Sequence, residues 1–171
     1  TSATVTITDT LTSAVTATLP AGVENLTLTG SAPADGTGNA GPNVLTGNSA
    51  ANTLTGLAGN DTYRFVANIQ LGSDTLTEAA SAGTDTINLA STATAVRLNL
   101  GITTLQTVNA NLKLTITTAN TIENAIGGNS DDVLTGNALA NALTGGTGAD
   151  RLSGLSGNDL LDGGLASDWL T

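Results

Sequence analysis

A chain of 171 residues with a formal net charge of −10, positive only at Arg64, Arg97, Lys113 and Arg151, is a poor partner for nucleic acid, whose phosphates need a basic surface. Without Cys or His it forms no disulfide, no ordinary zinc site and no His-dependent catalytic triad. Only 2% of residues are aromatic and 21 are Gly, which argues against a conventional globular core and for one repetitive coil with a narrow Leu/Ile/Val interior.

Residues 1–30, TSATVTITDTLTSAVTATLPAGVENLTLTG, alternate Thr with Val, Ile, Ala or Leu. A period of two with β-branched residues predicts strands with one buried face. Val5 and Ile7 mark one strand and Val23, Leu26 and Leu28 another, with Pro20-Ala21-Gly22 as the turn between them.

From Gly38 to Arg64 the chain reads in nines: GNAGPNVLT, GNSAANTLT, GLAGNDTYR. Gly at places one, two and four of such a nine supplies backbone for a tight turn on which carbonyl oxygens converge. Places seven to nine form a short strand with one apolar side chain pointing inward, here Leu45, Leu54 and Tyr63. A nine is therefore half a coil, and strands two nines apart become parallel neighbours. Asn43 and Asp61 then share a column, as a weak calcium site or as an Asn-rich turn held by its own hydrogen bonds.

Residues 65–126 keep fragments of the pattern. Gly72-Ser73-Asp74-Thr75-Leu76 and Gly83-Thr84-Asp85-Thr86-Ile87 predict that the coil continues with longer turns. AVRLNLG (95–101) and NLKLTIT (111–117) alternate cleanly, placing Val96, Leu98, Leu100, Leu112, Leu114 and Ile116 inward. Thr121-Ile122-Glu123-Asn124 leads into the next array much as Val23-Glu24-Asn25 leads into the first, which suggests a duplicated unit. No helical periodicity is present.

Residues 127–171 are five uninterrupted nines: GGNSDDVLT, GNALANALT, GGTGADRLS, GLSGNDLLD and GGLASDWLT. Stacking every second nine places Asp132, Asp150 and Asp168 in one column and Asn141 with Asp159 in the other. Leu134, Leu152 and Leu170 face inward from one sheet, Leu143 and Leu161 from the other. Stacked carboxylates repel unless a cation lies between them, and carboxylates plus loop carbonyls suit the six to eight oxygens of Ca²⁺. Arg151 and Trp169 both stand at place seven, outward on adjacent strands, which sets a guanidinium over an indole.

GGTGADRLS and GLSGNDLLD resemble RTX, or haemolysin-type, calcium-binding repeats. VENLTLTG (23–30) and GNDTYRF (59–65) also resemble segments flanking such repeats in large bacterial secreted and surface proteins. The resemblance implies an all-β fold, a right-handed parallel β-roll or β-helix solenoid with calcium-binding turns. Carried over residue by residue, it implies calcium sites at Asp132 with Asp150, Asp150 with Asp168, and Asn141 with Asp159. Carbonyls of Gly127, Asn129, Gly145, Gly146, Thr147, Gly148, Gly163 and Gly164 would complete them. Asn at sixth places 43, 52 and 141, and the loss of fourth-place Gly at Ala50, Ser130, Leu139 and Ala166, imply fewer ions than repeats. The family also implies a chain that is disordered at cytosolic calcium and folds outside the cell. Chelation is expected to unfold mainly the 127–171 end.

One solenoid over 1–171 is expected, divided into a strand lead-in (1–37), a first array (38–64), longer-turn coils (65–126) and a main array (127–171). The chain opens on Thr and contains no Met, and reads as a piece of a larger protein, with no apolar run long enough for a membrane helix and no signal peptide. The expected function is a non-catalytic, calcium-binding structural module of a secreted or cell-surface bacterial protein. The alternative is an adhesion, glycan-binding or surface-layer module using the polar Thr/Asn faces. The adjacent Asp131 and Asp132 sit on a repeat turn with no second catalytic type nearby, so a glycosidase is not expected.

Overall fold

The computed structural model describes residues 8–79 and 82–171. Val5 and Ile7, expected to mark the first strand, lie outside them. Among the described residues there are eighteen strands and no helix. The inward alternation of Leu, Ile and Val against Thr and Asn drives this, since each strand needs one apolar side chain to seat it on the core.

The strands fall into three sheets. The longest runs in the order β1 (Thr10–Ser13), β3 (Asn25–Leu28), β5 (Val44–Thr46), β7 (Thr62–Arg64), β9 (Thr86–Asn88), β13 (Asn124–Ile126), β15 (Ala142–Thr147) and β17 (Leu160–Leu165). A six-stranded sheet holds β11 (Gln106–Thr107), β12 (Leu112–Ile116), β8 (Gly72–Thr77), β6 (Thr53–Thr55), β4 (Gly36–Thr37) and β2 (Ala17–Thr18). A four-stranded sheet holds β10 (Arg97–Asn99), β14 (Val133–Thr135), β16 (Arg151–Ser153) and β18 (Trp169–Leu170). Except from β10 to β12, the chain passes back and forth between the long sheet and one of the other two, which makes the fold a parallel β-roll.

The registers follow the period. Val133 pairs with Arg151 and Arg151 with Trp169, while Ala142 pairs with Leu160, so nines one, three and five stack in one column and nines two and four in the other. Arg151 Cζ lies 5.7 Å from the centroid of the Trp169 ring, as their shared place seven requires. Such an exposed pair is worth about 0.5–1 kcal/mol. Val23-Glu24-Asn25 and Ile122-Glu123-Asn124 both enter strands of the long sheet, at equivalent positions.

The coil does continue through 65–88, where Asp85 stacks over Asp61 and Asp74 over Asn52 through β9 and β8. Beyond it the structure departs from a simple coil with longer turns. β11 and β12 are antiparallel, whereas every other strand pair is parallel. The side chain of Asn109 forces this reversal: its Oδ1 accepts from the N–H groups of Asn111 and Leu112, and its Nδ2 donates to the Ala67 carbonyl. β12 then closes the six-stranded sheet on β8, and β10 opens the four-stranded sheet on β14.

The core is a narrow file to which several strands send more than one side chain, as Leu26 with Leu28 and Leu112 with Leu114 and Ile116 do. Leu26, Leu45, Tyr63, Ile87, Ala125 and Leu143 descend the long sheet, facing Leu54, Leu76 and Ile116 and then Leu98, Leu134 and Leu152. Each buried Leu or Ile contributes about 1.5–3 kcal/mol. Leu170 departs from expectation: it is 46% exposed, because β18 is the edge of its sheet.

Candidate metal centre

Each sixth-place residue precedes a strand, so its N–H points along the stacking direction toward the next circuit. There a side-chain oxygen meets it. The Asp132 N–H donates to Asp150 Oδ1 at 2.7 Å and the Asp150 N–H to Asp168 Oδ1 at 2.9 Å. Asp132 Oδ1 in turn accepts from the N–H of Val96, 36 residues earlier. The long sheet repeats the device: Asn43 donates to Asp61, Asp61 to Asp85, Asp85 to Glu123 and Asn141 to Asp159. In the six-stranded sheet Asn52 donates to Asp74. One carboxyl oxygen per circuit thus holds the coils in register.

The second oxygen of Asp132 accepts the Gly128 N–H, but in four other carboxylates the second oxygen is left over. Oδ2 of Asp61, Asp74 and Asp150 and Oε2 of Glu78 are buried with no hydrogen-bond partner. Burying an unpaired carboxylate costs several kcal/mol, so each either takes up a proton or meets a cation. Burial accordingly pushes the Asp61 carboxyl up to about 6, and those of Asp74 and Glu78 up to about 7. It raises Asp85, Glu123, Asp132 and Asp150 above the ordinary carboxylate range too.

First-place glycines make the room. The Asp150 Oδ2 and the Gly163 carbonyl oxygen both lie against Gly145, where a Cβ would strike them. Asp132 Oδ2 and the Gly145 carbonyl lie against Gly127 in the same way. Gly145 and Gly127 do not have positive φ. They are glycine because a carboxylate and a carbonyl oxygen occupy the space of a side chain, not because of backbone freedom. Positive φ falls at second and fourth places, as at Gly146 (φ 116°) and Gly148 (φ 118°).

Donor chemistry and orphaned oxygens both fit a hard cation. Asp132 and Asp150 with the Gly145 carbonyl, and Asp150 and Asp168 with the Gly163 carbonyl, are the residues that would hold one. Residues 37–64 and 135–170 match the family model of the RTX calcium-binding nonapeptide repeat, in four copies. These two stretches are RTX calcium-binding nonapeptide repeats. No curated protein matches the chain. Asp132 lies outside the matched RTX stretches, yet its hydrogen bond to Asp150 puts its turn in the same column as theirs.

Three RTX turns are built differently. GNAGPN (38–43), GNSAAN (47–52) and GNALAN (136–141) carry Asn at both place two and place six. Asn43, Asn52 and Asn141 each accept the N–H of their own Asn39, Asn48 or Asn137 through Oδ1. Their amide nitrogens donate to the partner Asn and to a carbonyl one circuit back: Val23, Ala34 or Glu123. Asn43 and Asn141, expected as calcium ligands beside Asp61 and Asp159, instead close their turns with hydrogen bonds. The Asn turns themselves leave no second oxygen orphaned, although Asp61 and Asp74, one circuit on from Asn43 and Asn52, do. Among the other expected ligands, the Gly146 carbonyl lies against Gly164. Asp131, which was not one of them, is exposed and accepts the Ala149 N–H.

Glu78 escaped the sequence reading. It stands one circuit above Gly56, because Thr77 pairs with Thr55, but the longer turn that follows it hides the nine. Its carboxylate, Asp61 and Asp85 each offer an oxygen within 4.8 Å of the others, and all three residues are buried.

Proposed function

We propose that this chain is a non-catalytic structural module of a secreted or cell-surface protein, completed and stabilised by Ca²⁺ bound between stacked Asp turns. The observation that carries this reading is Asp150. Its carboxylate is buried between the turns of Asp132 and Asp168, with one oxygen holding register and the other without a partner. Bound calcium supplies the positive charge that this column lacks. The protein's own contribution is to stack the carboxylates in register, bring the Gly145 and Gly163 carbonyls beside them, and exclude water.

A ligand that binds only the folded chain stabilises it by mass action. Extracellular calcium modules bind at about 10⁻⁴–10⁻³ M, so this gain is available outside a cell and not in a low-calcium cytosol. Calorimetric titration of the chain with calcium tests the reading, together with far-ultraviolet circular dichroism with and without a chelator. Binding heat and a chelator-sensitive β spectrum are expected. A chain that melts at one temperature with chelator or with millimolar calcium would remove the function and leave the fold.

A further inference from the structure

We propose that Asp61, Glu78 and Asp85, with the Tyr63 hydroxyl, form a second kind of divalent-cation site in mid-roll, built from side chains where an RTX turn uses backbone. The identity of the ion as calcium rests on the reading above; the geometry of the site does not.

Tyr63 replaces the inward Leu of its nine, and its ring is wholly buried in the core file. The extra length carries its hydroxyl to the rim of the coil, where it bonds to Glu78 Oε1 and accepts the Gly56 N–H at 2.8 Å. Glu78 occupies the level at which the circuit below has Gly56. A Cβ on Gly56 would run into Glu78 Oε1, Asp61 Oδ2 and the Tyr63 hydroxyl together, so three oxygens converge on the space that this glycine leaves. Two further facts turn convergence into a site. Asp61 is 1% exposed and its Oδ2, one of the three converging atoms, has no partner; Glu78 is 4% exposed and its Oε2 has none. The hydrogen bonds that hold the three carboxylates come from the backbone N–H groups of Asn43, Asp61 and Ala79 and from Tyr63, none from Arg or Lys among the described residues.

The span also suits the ion. Oxygens bound to one calcium at ~2.3–2.6 Å lie no more than ~5 Å apart, and one oxygen from each carboxylate lies within 4.8 Å of the other two. Three carboxylates on one ion exceed the one or two that a pair of stacked nonapeptide turns supplies. This centre therefore binds more tightly than the Asp132–Asp150–Asp168 column, since affinity rises with ligand charge.

The chain has one Tyr and one Trp, at 63 and 169. Tyr63 touches this cluster, and Trp169 follows Asp168 at the other end of the roll. Terbium, a luminescent substitute for calcium, therefore reports the two places separately. In Trp169→Phe, emission excited through Tyr63 is expected, displaced by excess calcium. It should weaken about tenfold or more in Glu78→Gln and in Asp85→Asn but survive Asp150→Asn. Wild-type emission excited through Trp169 without any through Tyr63 would overturn this site and leave the calcium module standing. Tyr63-excited emission that persists in both Glu78→Gln and Asp85→Asn would overturn it as well. Absence of both signals would overturn the site and the calcium reading together.

Discussion

The backbone N–H of Asp132 donates to Oδ1 of Asp150, 2.7 Å away and one circuit along the roll, while Oδ2 of the same carboxylate is buried without a partner. The two oxygens have separate tasks. Asp150→Asn keeps an acceptor for the Asp132 N–H and sets an amide donor where the second oxygen stood, beside the Gly163 carbonyl. With chelator present the variant should therefore be more stable than wild type by about 1 kcal/mol, the worth of a hydrogen bond gained. With calcium the order should reverse. Urea denaturation under the two conditions measures both, and a variant weaker in chelator would show that the second oxygen is not a liability.

The converse substitution, Asn141→Asp, removes the amide donors to Glu123 and Asn137 and sets a carboxylate in line with Asp159. A turn that closes itself becomes one that needs an ion. Stability in chelator should fall by about 1–3 kcal/mol, since the Glu123 carbonyl loses its donor. Added calcium should recover more of that loss than it adds to wild type. Equal calcium responses of the two proteins would contradict the division between Asn and Asp turns.

The metal-free roll should prefer acid. Burial lifts Asp61 to about 6 and Asp74 and Glu78 to about 7, from ordinary values of 3.8 and 4.5. A carboxyl whose folded value is raised contributes stability that is fully present below its unfolded value and lost as pH climbs through the folded one. The loss thus runs from about pH 4 to about pH 7. In chelator the melting temperature should be higher at about pH 5 than at about pH 8, and calcium should narrow the difference by stabilising mainly the ionised form. A melting temperature in chelator that rises toward pH 8 would mean that the second oxygens of these carboxyls are hydrated.

The regular parts of this molecule were legible because the nine is rigid. With two nines per circuit, Val133 falls beside Arg151, Arg151 beside Trp169 and Asp132 beside Asp150, and the contacts follow. The inward file was equally readable from Leu and Ile at alternate places, as far as Leu114 and Ile116. The hairpin of β11 and β12 was not, because its reversal depends on one side chain, Asn109, whose bonds to Asn111 and Leu112 a period of two does not encode. Glu78 was hidden by the long turn after it. The Asn39–Asn43, Asn48–Asn52 and Asn137–Asn141 pairs were present in the letters as G-N-x-x-x-N. Their meaning required the amide contacts, which separate a turn that closes itself from one that awaits a cation.

Leu155 opens the GLSGND turn at place two with φ 70°, in the left-handed region where a side chain is disfavoured by about 1–2 kcal/mol. Its side chain is 63% exposed, so little burial is lost on trimming it. Leu155→Gly relieves the strain but gives the unfolded chain more freedom, a counter-effect of about 0.5–1 kcal/mol. The balance favours glycine, and stability should rise by about 0.5–1 kcal/mol with calcium affinity unchanged. Ala138, exposed in the turn one circuit earlier and free of left-handed φ, provides the control. Ala138→Gly carries only the entropic cost and should lose about 0.5–1 kcal/mol. Denaturation of the two variants side by side should move in opposite directions; a parallel loss would show that the left-handed turn at place two is not strained by its leucine.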